Sequence, residues 1–460
     1  MTVNTFEEAI QAVSNPEDFV RTIGPGADTS HLHLFSEVPN EFTNWREEQS
    51  AWKESCAIAD LSHHMYDLHV EGPDALAVFE DLGINSFDGF EPGKAKQFAA
   101  CNESGYLIGD GILFYLDVNS LNLVGYSAIN WVRYHLETNS YDATYTLNEH
   151  SGARDGPPAD FRYQVQGPDA LQVIKEATDG KVPEVPFFNF RELSISGQTV
   201  YALRHGMMDE PGFEIFGDWE YANDVQERIV DVGRSYGIRQ IGSMAYPTNI
   251  IPNAWIPIPV PAIFGEDTQD YRNWLEAGSF EGAFTVGGSF APESIEQYYL
   301  DPFDAGHGRF IDFDHDFIGR EALKERAEQP QREKVTLVWN GDETTDLFGS
   351  LFTKADTPRY VELPTPNWAI SMYDEVSIGD EFVGLSVSPR YLYFERSLFS
   401  IGVIDSEYAT PGTELTLTWG EPGESQNPRV ESHDQREITV TVAPAPYYED
   451  KRKSTDYSAI

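Results

Sequence analysis

The chain has little cysteine and little positive charge. Cys56 and Cys101 are its only two cysteines in 460 residues. One pair cannot make a disulfide framework, and neither cysteine has metal-type spacing, so a reducing cytoplasm is the expected compartment. Lys and Arg number 31 against 76 Asp and Glu, a formal net charge of −45. A surface of that sign repels nucleic acid and anionic membranes, so neither is an expected partner. The acids are dispersed along the chain rather than gathered in a tail, which suits a surface that holds water and cations at high salt. A halophilic source is therefore expected. No apolar run approaches the roughly 20 residues that a membrane span needs. The N-terminal stretch 1–20 is acidic and amphipathic and lacks a basic or apolar leader pattern, so no signal peptide is expected.

Several chemical signatures are also missing. There is no Gly-x-Gly-x-x-Gly strand–helix unit, no Gly-Lys-Ser/Thr phosphate loop and no nucleophile elbow. His63 and His64 are adjacent and do not have His-x-x-x-His spacing. Two readings fit them: a structural pair with one ring buried, or a place in a substrate pocket. The His433–Arg436 stretch reads as surface.

Hydrophobic residues make up 40% of the chain and aromatics 13%, as in a globular protein with sizeable cores. The length suits about two to four domains. The stretch from Arg204 to Phe264 stands out. Glu214 follows a Pro-Gly-Phe turn between apolar neighbours, Tyr246 precedes a proline, and Trp255 opens a Pro-Ile-Pro-Val-Pro run. Proline fixes φ and removes a donor, so 247–261 reads as a rigid, non-helical arm that lines a site. A hydrophobic crossover through the core explains the same composition.

Read in order, 5–23 is a short amphipathic helix that stops near Pro16 or reforms after it. The spacing of Trp45, Trp52 and Cys56 predicts a helix over 42–60. A strand is expected at 66–70, a Gly-Pro-Asp turn at 72–74, and a helix from Ala75. That pattern recurs. The sequence LHVEGPDALAVFED at 68–81 is echoed by YQVQGPDALQVIKE at 163–176, with Gly72 and Gly167 95 positions apart. An internal duplication follows, giving two α+β halves with a site between them. A meander of strands over 106–116 and 121–126 carries Asp110 between Gly109 and Gly111. An acid between glycines suits a bare turn, or a carboxylate projecting from a strand into a pocket. The second half ends near 240. Segment 265–300 reads as a surface excursion, a short helix starts at Arg320, and 327–333 is the linker. From Lys334 onward, short strands alternate with turns, as in an all-β barrel or sandwich. The fold class is therefore α+β: duplicated halves over about 1–150 and 151–330, then a β domain, barrel- or jelly-roll-like, over 334–460.

The ordered set ADLSHHM, V-x-G-P-D-A-L, NESGYLIGDGILFY, GFEI, DFIGREAL, VGLSVSPR and PGTELTLTW resembles the glycine-cleavage T-protein (aminomethyltransferase) superfamily. FTNWREEQSAW, GSMAYPTN, WIPIPVPAIF and DPFDAGHGRF resemble its tetrahydrofolate-dependent aryl O-demethylases of the vanillate and syringate type. The resemblance implies domains around a central folate cavity and a small-molecule methyl donor. It also implies transfer of a methyl group from a methoxyl oxygen to N5 of tetrahydrofolate or a related tetrahydropterin. Glu214 stands where the superfamily's pterin-binding glutamate stands. A carboxylate there can take paired, charge-assisted hydrogen bonds from the pterin N–H edge. Asp110 matches the first acid of the T-protein Asp-Asp pair, where it could orient N5; the second is Gly111 here. Tyr246 matches the tyrosine beside the methoxyl oxygen, where a phenol can donate to the departing oxygen. Trp255 would stack along substrate or folate, and His63 and His64 fall in the substrate-side motif.

Three positions depart from the vanillate-type pattern. Tyr126 stands where an arginine holds the aromatic acid's carboxylate. Leu61 replaces a glutamine and Phe35 a tyrosine. A buried benzoate without its cation is costly. The departures thus imply a neutral methoxyaromatic, or a methylated onium compound held by Phe35, Tyr126, Tyr246 and Trp255. The alternatives are a sulfonium or betaine demethylase, a T-protein proper with a lipoyl carrier protein as partner, and a folate-binding protein without transfer activity.

Overall fold

Both Gly-Pro-Asp turns join a strand to a helix, as their chemistry predicts. In the computed structural model, Tyr66–Glu71 is a strand and Ala75–Leu82 a helix. The second copy gives Asp160–Gln166 and Ala170–Ala177. Gly72 has φ +141° and Gly167 has φ +135°. A Cβ at Gly72 would lie 2.4 Å from the Asp142 carbonyl oxygen, and one at Gly167 would lie 2.6 Å from that of Ser55. Glycine is required at both places by conformation and by space. The structure describes residues 4–13, 15–22, 37–353, 357–366, 368–425 and 427–457.

Three sheets carry the molecule. The first is antiparallel, in the order Lys94–Cys101, Leu107–Asp117, Ser120–Gly125, Tyr66–Glu71, Thr144–Asn148. The second runs Arg239–Ile241, Ala57–Asp60, Asp160–Gln166, Gly212–Asp218, Gln198–Leu203, Phe190–Ile195. Its strand Ala57–Asp60 comes from the first half of the sequence and pairs with Asp160–Gln166. The third is a closed six-stranded barrel. Ser371–Ile378, Glu381–Leu392, Ser397–Asp405, Arg332–Trp339, Arg436–Ala443 and Glu414–Trp419 follow one another, and the last pairs back to the first through Val376 and Leu417. Closure leaves those six strands no free edge between first and last. No helix among the described residues is long and apolar enough to cross a membrane.

Four local expectations need correction. The helix expected over 42–60 is Trp45–Glu54 only, because Ala57–Asp60 pairs on both sides within the second sheet. Trp45, Trp52 and Cys56 are buried all the same. The arm over 247–261 starts with a helical turn, Tyr246–Asn249, and a short helix, Ile250–Asn253. Proline is tolerated in a first turn, whose N–H groups need no intrahelical partner. Segment 265–300 is no surface excursion. Tyr271, Phe280, Tyr298 and Leu300 are buried in the same cluster as the first sheet's Leu68 and Leu113. Buried Glu281 there accepts from Asn130 Nδ2 at 2.8 Å and Tyr271 OH at 3.2 Å. Finally, a helix, Gly341–Ser350, interrupts the C-terminal strands.

A candidate active site in the central cavity

A cavity of about 1700 Å³ opens where the three sheets meet. Drug-sized sites run to roughly 1,000 Å³, so this one has room for two reactants. Asp110 and Phe114 enter it from the first sheet, Glu214 from the second, and Lys334 and Arg390 from the barrel.

Asp110 lies within the strand Leu107–Asp117 and is 7% exposed, so the strand reading holds and the bare-turn reading does not. Its flanking glycines are forced by packing. A Cβ at Gly109 would lie 2.7 Å from the Ala128 nitrogen, and one at Gly111 would lie 2.4 Å from the Val124 carbonyl oxygen. One oxygen, Oδ2, accepts from Gln97 Nε2 at 2.8 Å and Trp255 Nε1 at 3.2 Å, and lies 3.0 Å from His307 Nε2. Trp255 is thus tied to the acid by its indole N–H. His307 was not singled out from the sequence. Its Gly-His-Gly setting reads as a loop, and only folding brings it to a residue 197 positions away. Nearby Lys334 donates to the Ala305 carbonyl at 2.7 Å. Burial pulls its ammonium down to about 8, and Asp110 resists that pull.

Glu214 is 6% exposed on Gly212–Asp218 and receives Arg162 Nη1 on Oε1 at 2.6 Å. Arg162 Nη2 reaches Asp67 Oδ1 at 3.0 Å, and the guanidinium lies over the Phe114 and Phe216 rings. Burial works against this cation, but Asp67 and Glu214 outweigh it and hold the guanidinium above its ordinary range. The carboxylate of Glu214 is thereby fixed in place.

Tyr246 lines the same cavity at 8% exposure, hydrogen-bonded to Asn249. Burial and the Glu214 charge push its phenol well above the ordinary tyrosine value. The His64 ring meets it edge-on at 5.1 Å. Burial pulls His64 down to about 3, so its imidazole is neutral at ordinary pH. The two histidines divide the two readings between them. His64 lines the cavity, whereas His63 is outside the lining, with Nδ1 on Ser151 Oγ at 2.7 Å and Nε2 3.5 Å from Asp60. Leu61 and Tyr126 also line the cavity, Tyr126 stacked on Phe280 at 5.0 Å. Phe35 lies outside the described residues.

The GCVT N-terminal domain model matches residues 20–252. Over 447 residues the chain is 40% identical to the syringate O-demethylase of a Sphingobium species, covering 96% of each chain. The chain belongs to the T-protein superfamily, on its aryl O-demethylase side. It is also 29% identical over 447 residues to the sesamin methylene transferase of a Sinomonas species, covering 93% of this chain and 94% of that one. The glycine cleavage aminomethyltransferase T of Bartonella henselae superposes with a TM-score of 0.59 at 16% identity, covering 90% of this chain and 92% of that one, a likeness of fold. Superfamily membership implies a tetrahydrofolate-type cofactor, and the residues present fit one. A fixed carboxylate, Glu214, suits the ring N–H edge, Asp110 adds a second buried acid, and aromatic and aliphatic walls suit a flat ring.

Proposed function

We propose that this protein is a tetrahydrofolate-dependent O-demethylase that moves a methyl group from a methoxylated aromatic to N5 of tetrahydrofolate. The observation that carries the reading is convergence. Asp110, Glu214 and Tyr246, far apart in sequence, line one cavity with room for donor and acceptor together. Tetrahydrofolate, when bound, supplies the nitrogen that accepts the methyl group. The chain's own residues do the rest. Glu214 would hold the pterin edge, with Arg162 holding its carboxylate in place. Asp110 would orient the accepting nitrogen, itself immobilised through Oδ2.

Breaking the aryl ether leaves a phenolate, and Tyr246 would donate a hydrogen bond to that oxygen as charge develops. A phenol pushed upward by burial and Glu214 keeps its proton, so it acts as a fixed donor rather than a titrating acid. Leu61, Tyr126 and neutral His64 line the same cavity and would limit water around that donor.

Two features speak against the other readings. An acid at Gly111, as in the T-protein pair, would drive its Cβ to 2.4 Å from the Val124 carbonyl oxygen. This disfavours aminomethyl transfer and with it a lipoyl carrier partner. The cavity is lined by Lys96, Arg309, Lys334, Arg390, Arg452 and Lys453 against three acids, which disfavours an onium donor. The test is Tyr246→Phe. Turnover should fall at least ~100-fold, the scale of a lost oxyanion donor, with tetrahydrofolate affinity kept. Unchanged turnover removes Tyr246 from the reaction, and lost folate binding assigns it to the cofactor.

A further inference from the structure

Arg390 differs from three buried arginines of this chain. The buried Arg162, Arg272 and Arg359 each pair with a carboxylate: Glu214 at 2.6 Å, Glu7 at 2.6 Å and Glu421 at 3.5 Å. Arg390, on the barrel strand Glu381–Leu392, lines the cavity and has two carbonyl partners instead. Its Nε donates to the Pro247 oxygen at 3.0 Å and its Nη1 to the Pro389 oxygen at 2.8 Å. No carboxylate among the described residues pairs with it, in a chain that has 76 acids. Desolvation, with no anion to offset it, pulls the guanidinium down to about 10.

We infer that Arg390 is the carboxylate-recognition residue of the cavity and takes the acid group of an aromatic acid methyl donor. Three observations support it. The guanidinium is anchored on two carbonyls, which fixes its fork, and a fixed fork matches a carboxylate. One anchor is the carbonyl of Pro247, the residue after Tyr246, and both Arg390 and Tyr246 line the cavity. The cavity wall also reverses the sign of the molecule: six cations to three acids in a chain of net charge −45. Such a wall concentrates anions. The expectation that Tyr126 excludes a benzoate is thereby revised, because a cation reaches the cavity from a strand more than 250 positions later.

The inference rests on the demethylase reading and is tested separately from it. Wild type, Arg390→Gln and Arg390→Lys would each be given a methoxybenzoate and its neutral carboxamide. Turnover, calorimetric binding of the methoxybenzoate and tetrahydrofolate affinity would be measured. The Gln variant should raise KM and Kd for the acid at least ~10-fold, the scale of one charge-assisted hydrogen bond. The carboxamide and tetrahydrofolate should be unaffected. The Lys variant, which keeps the charge, should recover part of the acid affinity. Acid and carboxamide lost alike in both variants would overturn the inference, since Arg390 would then be structural. Weakened tetrahydrofolate binding would overturn it too, assigning the cation to the folate's own carboxylates. If wild type demethylates neither compound, the demethylase reading fails. Binding of the methoxybenzoate then decides alone: loss in the Gln variant supports Arg390, and equal binding contradicts it.

Discussion

Glu214 is a buried carboxylate that holds an ion pair and lines the cavity. It shares the Arg162 guanidinium with Asp67. Glu214→Gln keeps the shape and removes the charge. Tetrahydrofolate affinity should fall at least ~10-fold, with unfolding still cooperative; calorimetric titration and thermal melting check both. His64 gives a pH prediction. Its folded value, about 3, lies below the unfolded value near 6.5, so the unfolded chain binds the proton first as pH falls. Stability attached to His64 is complete above pH 6.5 and is lost as pH drops toward 3. His205, pulled down to about 3 by burial, adds in the same sense. Urea midpoints measured across that window should decline, and His64→Gln should flatten the decline. At this scale the sequence was partly legible. Tyr246, Glu214 and Asp110 sit in short motifs with a chemical reason for each residue. His307 and Arg390 do not, because a loop histidine and a strand arginine acquire meaning only from partners brought in by tertiary structure.

The repeated strand–turn–helix unit is the most legible element, because its chemistry is local. A glycine that permits positive φ, a proline and a short apolar helix need no distant partner to be recognised. Gly72→Ala and Gly167→Ala should each cost about 1–3 kcal/mol, from backbone strain and the clash with a carbonyl oxygen. Chemical denaturation of the two variants checks this, and equal losses would fit the duplication. Elsewhere composition misled. Segment 265–300 has the glycines and acids of a loop, yet its aromatics pack on the first sheet, and Glu281 is buried on hydrogen bonds. Strand Ala57–Asp60 continues the apolar pattern of the preceding helix, and only pairing with Asp160–Gln166 distinguishes them.

At the scale of the whole molecule, charge organises the account. A net charge of −45 opposes the compact state by self-repulsion, and salt screens repulsion between exposed charges. We propose adaptation to high salt: the melting temperature should rise steadily with potassium chloride, and a salt-independent melting temperature would contradict it. The division into duplicated halves and a barrel remains our proposal for the domain boundaries, with limited proteolysis near 327–333 as its check. The α+β architecture was legible from strand and turn spacing. A central cavity was expected from the duplication and the resemblance, but its barrel-derived wall and its sign, opposite to that of the surface, were not. The most direct test of the central claim is to supply a methoxyaromatic carrying a deuterated methyl group, with tetrahydrofolate, in high salt. Deuterated 5-methyltetrahydrofolate and the matching phenol are expected in equal amounts. Bound tetrahydrofolate that never acquires the label, across methoxyaromatic donors, would contradict it.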